Sequence, residues 1–215
     1  MIALKPAEVL ELLDWKRRVF ALYEGIRAAG APQDAWRMWR DQRNDLFANH
    51  PQSPLPADVR RGWKGLDLFD YAPEMRVTAA VEPAEQSHLE IATSDNTTMG
   101  FTRFAAARFE LLDRALTLEL YWLDGYGGGL FLPFRDATSG ATTYGAGRYL
   151  LDTIKGSDLG AQGDRLVLDF NFAYNPSCAY DPRWVCPLAP PPNRLDVSVT
   201  AGERVPEARA RPASS

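Results

Sequence analysis

The stretch from Leu166 to Asn175 carries one carboxylate and two amides, Asp169, Asn171 and Asn175, at odd positions of an otherwise apolar run. With the two-residue period of a strand these three share a face, while Leu166, Leu168, Phe170, Phe172 and Tyr174 share the other. Asp and Asn are poor strand formers because their side chains compete for backbone hydrogen bonds, so the row is a candidate binding or acid–base cluster. Satisfaction in ordinary turns is the competing reading. Glu203 continues the series Leu195, Val197, Val199 and Ala201, the face expected to be buried. A carboxylate there must be paired or protonated, because an isolated buried charge is costly. Arg148, made approachable by Gly145 and Gly147, is its expected partner, as a register-fixing ion pair or as a ligand clamp. Alternatively the strand ends early and Glu203 is exposed.

Two chemistries fit these residue types. Asp169 or Glu203 could act as general base with Tyr174 as acid, needing no metal. Cys178 could act as nucleophile, although no His stands near it in sequence to activate it. The Cys178-x7-Cys186 spacing is poor for zinc, so no metal site is expected, and two buried thiols or an occasional disulfide are the plainer reading. Gly145-Ala146-Gly147 lacks the third glycine and the following helix of a dinucleotide loop, and Ser139-Gly140 lies in no nucleophile elbow; no cofactor is expected.

The elements that must position these groups are legible from periodicity. Apolar residues at three- and four-residue spacing (Val9, Leu12, Leu13, Val19, Phe20, Tyr23, Ile26) predict a helix over about residues 6–30, with Pro6 in its first turn. A second helix is expected over about 33–48, with Trp36, Trp39, Leu46 and Phe47 on one side and Arg37, Arg40 and Arg43 interleaved. Arg stems covering packed Trp rings explain that pattern better than nucleic acid does. After a proline-rich connector, His50–Pro56, the period becomes two. Strands are expected at Met75–Glu82, Leu89–Thr93, Phe101–Leu112, Leu116–Trp122, Leu130–Phe134, Arg148–Ile154, Leu166–Asn175 and Leu195–Ala201, with a tight turn at Asp113-Arg114. The fold class implied is mainly β, an antiparallel barrel or sandwich with two N-terminal α-helices. The expected organisation is a helical segment over 1–50, a β domain over 51–204 and a disordered tail over 205–215.

Composition narrows the function classes. The 215 residues carry 24 Lys+Arg against 28 Asp+Glu, so no basic surface for nucleic acid is implied. Two His rule out a three-His metal centre, and two Cys rule out a disulfide-rich scaffold. No run approaches the roughly 20 apolar residues of a membrane span, and the charged N-terminus is no signal peptide, so no membrane partner and a cytoplasmic location are expected.

The C-terminal half carries a set of longer motifs: Phe131-x-Pro133-Phe134-x-Asp136, Thr143-Tyr144-x-x-Gly147-Arg148-Tyr149, Asp169-Phe170-Asn171-x-Ala173-Tyr174-Asn175-Pro176, Cys178, Cys186-Pro187 and Ala201-Gly202-Glu203. With weaker similarity through Ser53-Pro54-Leu55 and Gly65-Leu66, the chain resembles, over about residues 36–204, a bacterial and archaeal family known as domain of unknown function 1684. The resemblance implies a shared fold and a shared site and brings no activity with it.

The expectation drawn from all this is a β-barrel protein that binds a small polar or anionic molecule. Arg148, Asp169, Asn171, Tyr174, Asn175 and Glu203 would meet around a cavity roofed by the proline-stiffened loop 176–192, with Tyr144 and Arg135 extending the ligand-binding set. An enzyme on the same site is the first alternative. The second is an interaction protein whose first helix docks a partner or pairs two copies of the chain in a homodimer.

Overall fold

The computed structural model of the chain describes residues 5–206. Helix α1 spans Pro6–Ala28 and α2 spans Pro32–Asn49, each with proline in its first turn, where the missing N–H costs nothing. A four-residue helix, α3, follows at Ala57–Arg60. Trp36, Trp39, Leu46 and Phe47 are all buried, as their spacing predicts. Helix α1 departs from expectation. It buries Leu22, Tyr23 and Ile26, while Val9, Leu10, Leu12, Leu13 and Phe20 stay exposed. No helix among the described residues is long and apolar enough to cross a membrane.

The strands are β1 Arg76–Ala92, β2 Thr98–Leu111, β3 Arg114–Leu123, β4 Leu130–Phe134, β5 Arg148–Asp152, β6 Ala161–Gln162 and β7 Arg165–Asp169. They form one antiparallel sheet in the order β5-β4-β3-β2-β1-β7-β6. The fold is thus mainly β with two N-terminal helices, and the sheet is open rather than closed on itself. The two strands expected at Met75–Glu82 and Leu89–Thr93 are one long strand, β1, interrupted by an irregularity between Pro83 and Ser87. The β2–β3 turn centres on Leu112 and Asp113, both at positive φ, the geometry whose twist suits a two-residue hairpin.

Two expected strands behave differently. The one starting at Leu166 ends at Asp169, whose Oδ1 accepts the Asn171 N–H at 3.0 Å and turns the chain into a 3-10 turn at Phe170–Phe172. The segment Leu195–Ala201 keeps its buried–exposed alternation but joins no named strand; the backbone of Arg135 and Ala137 and the side chains of Arg148 and Asp136 hold it. Ala79, Ala107, Leu118, Leu132, Leu150 and Leu168 from the sheet and Leu22, Tyr23, Trp36 and Trp39 from the helices form one core. A smaller cluster, Phe47, Leu55, Ala179 and Tyr180, sits under the proline-rich connector. Of the tail expected from residue 205, Val205 donates to the Thr142 carbonyl and Pro206 is buried; residues 207–215 lie outside the described ones.

Candidate functional site

Glu203 is fully buried, and its carboxylate is fully engaged. Its Oε1 accepts Arg43 Nε at 2.5 Å, and Oε2 accepts the Asn175 N–H and the Tyr180 hydroxyl, each at 2.7 Å. The expected partner, Arg148, is therefore replaced by Arg43 from α2. Gly202 makes the approach feasible. It sits at φ +75°, and a Cβ there would lie 2.4 Å from the Ala173 carbonyl oxygen. Burial pulls the Arg43 guanidinium down, but the Glu203 carboxylate beside it more than offsets this and holds it above its ordinary value. Arg43 also lies over the rings of Phe47 at 4.6 Å and Tyr174 at 4.9 Å.

Arg148 is 1% exposed and spends its guanidinium on backbone. Nη1 donates to the carbonyls of Ala201 and Glu203, and Nη2 donates to that of Val199 at 3.0 Å. Asp136 sits 3.6 Å away and accepts the Val199 N–H at 2.7 Å. Burial pulls Arg148 down to about 10, with Asp136 opposing, so it stays charged at neutral pH. These contacts clamp residues 199–203 in place of a strand ladder, and they leave Arg148 no face toward a ligand.

The remaining expected residues separate into two groups. Asn175 Nδ2 donates to the Arg204 carbonyl at 2.7 Å, and Tyr174 exchanges both backbone hydrogen bonds with Tyr149. Cys178 is a buried thiol 3.8 Å from the Tyr144 hydroxyl, and Tyr144 packs on the small cluster. These lie around the Arg43–Glu203 pair. Asp169 and Asn171 lie apart, where Asn171 holds the backbone N–H and carbonyl of Ala72 at 2.9 and 2.8 Å. Arg135 is half-buried and pairs its backbone with Asn193 and Leu195. The six polar groups expected to surround one hollow thus do not do so.

Chemically, the buried phenols and thiols are quiet. Burial, first of all, holds Tyr149, Tyr174 and Tyr180 well above the ordinary tyrosine range. The hydrogen bond with Cys178, then burial, push the Cys186 thiol up. In an unfolded chain tyrosines ionise near about 10. The folded form therefore keeps protons that the unfolded form releases, so this contribution to stability is whole below about pH 10 and lost as the pH rises past it. Urea midpoints are expected to hold from neutrality to about pH 9 and fall steeply above about pH 10; a midpoint unchanged there would contradict the burial of these phenols. Among the described residues, no three His, Cys, Asp or Glu side chains are grouped closely enough to hold a metal ion.

The open space lies beside the network, not within it. A cleft of about 440 Å³ has walls of Leu55, Val59, Trp63, Leu66, Tyr180 and Pro206. Lys64, Asp67 and Arg204 also line it. Its outer wall is tied down by Asn44 of α2, which accepts the Leu66 N–H at 2.7 Å, and by Arg204, which donates its N–H to the Asp67 carbonyl at 2.9 Å. The Trp63 indole N–H is buried and hydrogen-bonds to no described residue. Tyr180, in the cleft wall, donates to Glu203, so the ion pair stiffens the cleft from behind. Sequence reasoning missed Arg43, Trp63, Lys64, Tyr180 and Arg204. The one signal it had for this region was the similarity through Ser53-Pro54-Leu55 and Gly65-Leu66. Two smaller cavities, of about 70 and 80 Å³, adjoin Tyr174–Asn175 and Asp169.

No curated protein matches the chain. A solution NMR structure of an uncharacterized protein from Haloarcula marismortui is 36% identical, with 80% of this chain and 93% of that chain covered and a TM-score of 0.59. A family model described as protein of unknown function (DUF1684) matches residues 61–204, which take in the whole sheet, the Arg148 clamp and Glu203. The chain belongs to the DUF1684 family.

Proposed function

We propose that the protein binds a small organic anion with an apolar body in the cleft between α3 and Tyr180. The observation that carries this reading is the coincidence, in one cleft of about 440 Å³, of apolar walls, among them Trp63, whose buried indole N–H has no acceptor among the described residues, with two cations, Lys64 and Arg204. That volume falls in the range typical of small-molecule sites, and such sites pair apolar walls with a few polar groups that fix orientation. Lys64 makes no ion pair among the described residues, and the Arg204–Asp67 pair is loose at 3.8 Å and exposed. Both cations can therefore turn to a ligand carboxylate. Cys178 and Cys186 are thiols and not a disulfide, which suits a reducing compartment and supports a cytoplasmic location.

Titration with octanoate, followed by the Trp63 indole N–H resonance, tests the proposal. Saturable binding is expected, and octanol should bind more weakly. Lys64→Ala combined with Arg204→Ala should weaken octanoate binding about tenfold, each rim charge contributing ~0.5–1 kcal/mol. Absence of saturation, or octanoate binding unchanged in Leu66→Arg, would overturn it.

A further inference from the structure

Asp169 was expected in a shared hollow with Glu203 and instead closes a cavity of its own. The β1–β7 register sets Arg76 directly opposite Asp169, at the point where the sheet meets the α1–α2 elbow. The cavity there, about 80 Å³, has walls of Ile26, Pro32, Leu159 and Phe172 and is also lined by Arg27, Arg76 and Asp169. Asp169 is fully buried, yet its two oxygens are treated unequally. Oδ1 accepts two hydrogen bonds from Asn171, at 3.0 and 2.8 Å. Oδ2 is buried and accepts no hydrogen bond from any described residue; Arg76 Nη1 pairs with it as an ion at 3.6 Å, too far for one. A buried carboxylate oxygen without a donor is costly, and Asp169 lines a space large enough for a few water-sized groups.

The arrangement has a direction. An acceptor lacking a donor lies at the inner end, and the guanidinium groups of Arg76 and Arg27 are partly exposed at the outer one. Arg27 is half-committed, with Nη1 donating to the Asp158 carbonyl at 2.8 Å. The Arg76 side chain makes no hydrogen bond to any described residue, and its contact with Asp169 is the 3.6 Å ion pair. A planar guanidinium binds a carboxylate through two parallel hydrogen bonds. A molecule with its carboxylate on Arg76 would carry its α-substituent toward Asp169 Oδ2, and that substituent must be a donor. We propose that this cavity is a second binding site, separate from the octanoate cleft, for a small carboxylate bearing a hydroxyl or ammonium group on its α-carbon.

Glycolate and glycine are the probes, acetate is the control lacking the donor, and the amide resonances of Arg76, Asn171 and Phe172 in the full chain are the readout. Glycolate or glycine is expected to saturate at about tenfold lower concentration than acetate, a difference of ~1.4 kcal/mol. Asp169→Asn keeps the oxygen that Asn171 uses and should erase that preference while leaving acetate unaffected. Leu159→Trp, which fills the cavity without touching a charge, should abolish binding of all three. Equal affinity for the three probes in the native protein, or no saturable shift, would overturn the proposal whether or not the variants fold. Survival of glycolate binding in Leu159→Trp would do so too.

Discussion

Arg148→Ala is expected to bring the protein to the edge of unfolding at room temperature. The substitution strips donors from the carbonyls of Val199, Ala201 and Glu203 and leaves Asp136 buried beside an empty space. Removing one partner of a buried, hydrogen-bonded charge costs ~3–5 kcal/mol, and a domain of this kind has only ~5–15 kcal/mol in all. Segment 199–203 belongs to no extended ladder, and its other backbone hydrogen bonds, Phe69 N–H to the Gly202 carbonyl and Glu203 N–H to the Ala173 carbonyl, lie at its far end. Arg148→Lys should recover little, because three carbonyls arranged around a planar fork do not fit a single ammonium. Urea unfolding followed by circular dichroism measures both. An Arg148→Ala midpoint within about 1 kcal/mol of the parent would show that apolar packing of Val197, Val199 and Ala201 alone holds the segment.

The same residue shows how far periodicity carries and where it stops. The amphipathic spacing of Trp36, Trp39, Leu46 and Phe47 and the alternation of Ala105, Ala107, Phe109 and Leu111 in β2 are local properties, and the structure buries those residues accordingly, whereas Val81 and Trp122, alternating just as regularly, are exposed and β5 is buried on both faces. The alternation of Leu195 to Ala201 is equally visible and equally obeyed in burial, yet it produces no strand. Whether an extended segment pairs depends on which edge it meets, and here only Arg135 and Ala137 offer backbone partners, to Leu195 and Val197, while Arg148 and Asp136 side chains serve Val199 and Ala201. Asp169 is the converse case. Its side chain caps the turn after it, the competition that makes Asp a poor strand residue, and this cut short a strand that apolar alternation extended to Asn175. Burial of Glu203 followed from its place in a series, but its partner did not. Arg43 lies among tryptophans on a helix, a pattern that reads as a cation covering rings at the surface. Only the docking of α2 across the Gly202–Glu203 corner turns it inward. The cleft had the weakest signal of all, since residues 55–67, Tyr180 and 204–206 have no common period and meet only after the sheet and helices have packed.

A double-mutant cycle on Arg43 and Glu203 should give the second large effect and separate the pair's cost from its worth. Glu203→Leu leaves the Arg43 charge, 15% exposed, facing Tyr180 and the bare Asn175 N–H, and is expected to destabilise by ~3–5 kcal/mol. Arg43→Met leaves the fully buried carboxylate with two donors and should cost less, since Asn175 and Tyr180 still solvate it. The double variant replaces both charges with apolar groups inside a shell of Phe47, Trp39 and Tyr174 rings and should recover ~2 kcal/mol or more relative to the sum of the single losses. Additive losses would mean that each residue is held by its other contacts and that the ion pair itself is energetically idle. The cycle also bears on the cleft. Tyr180 loses its acceptor when Glu203 is removed, so octanoate affinity should fall in Glu203→Leu even at temperatures where the fold is intact. Arg43→Met, which keeps the Tyr180–Glu203 hydrogen bond, should leave that affinity close to the parent's.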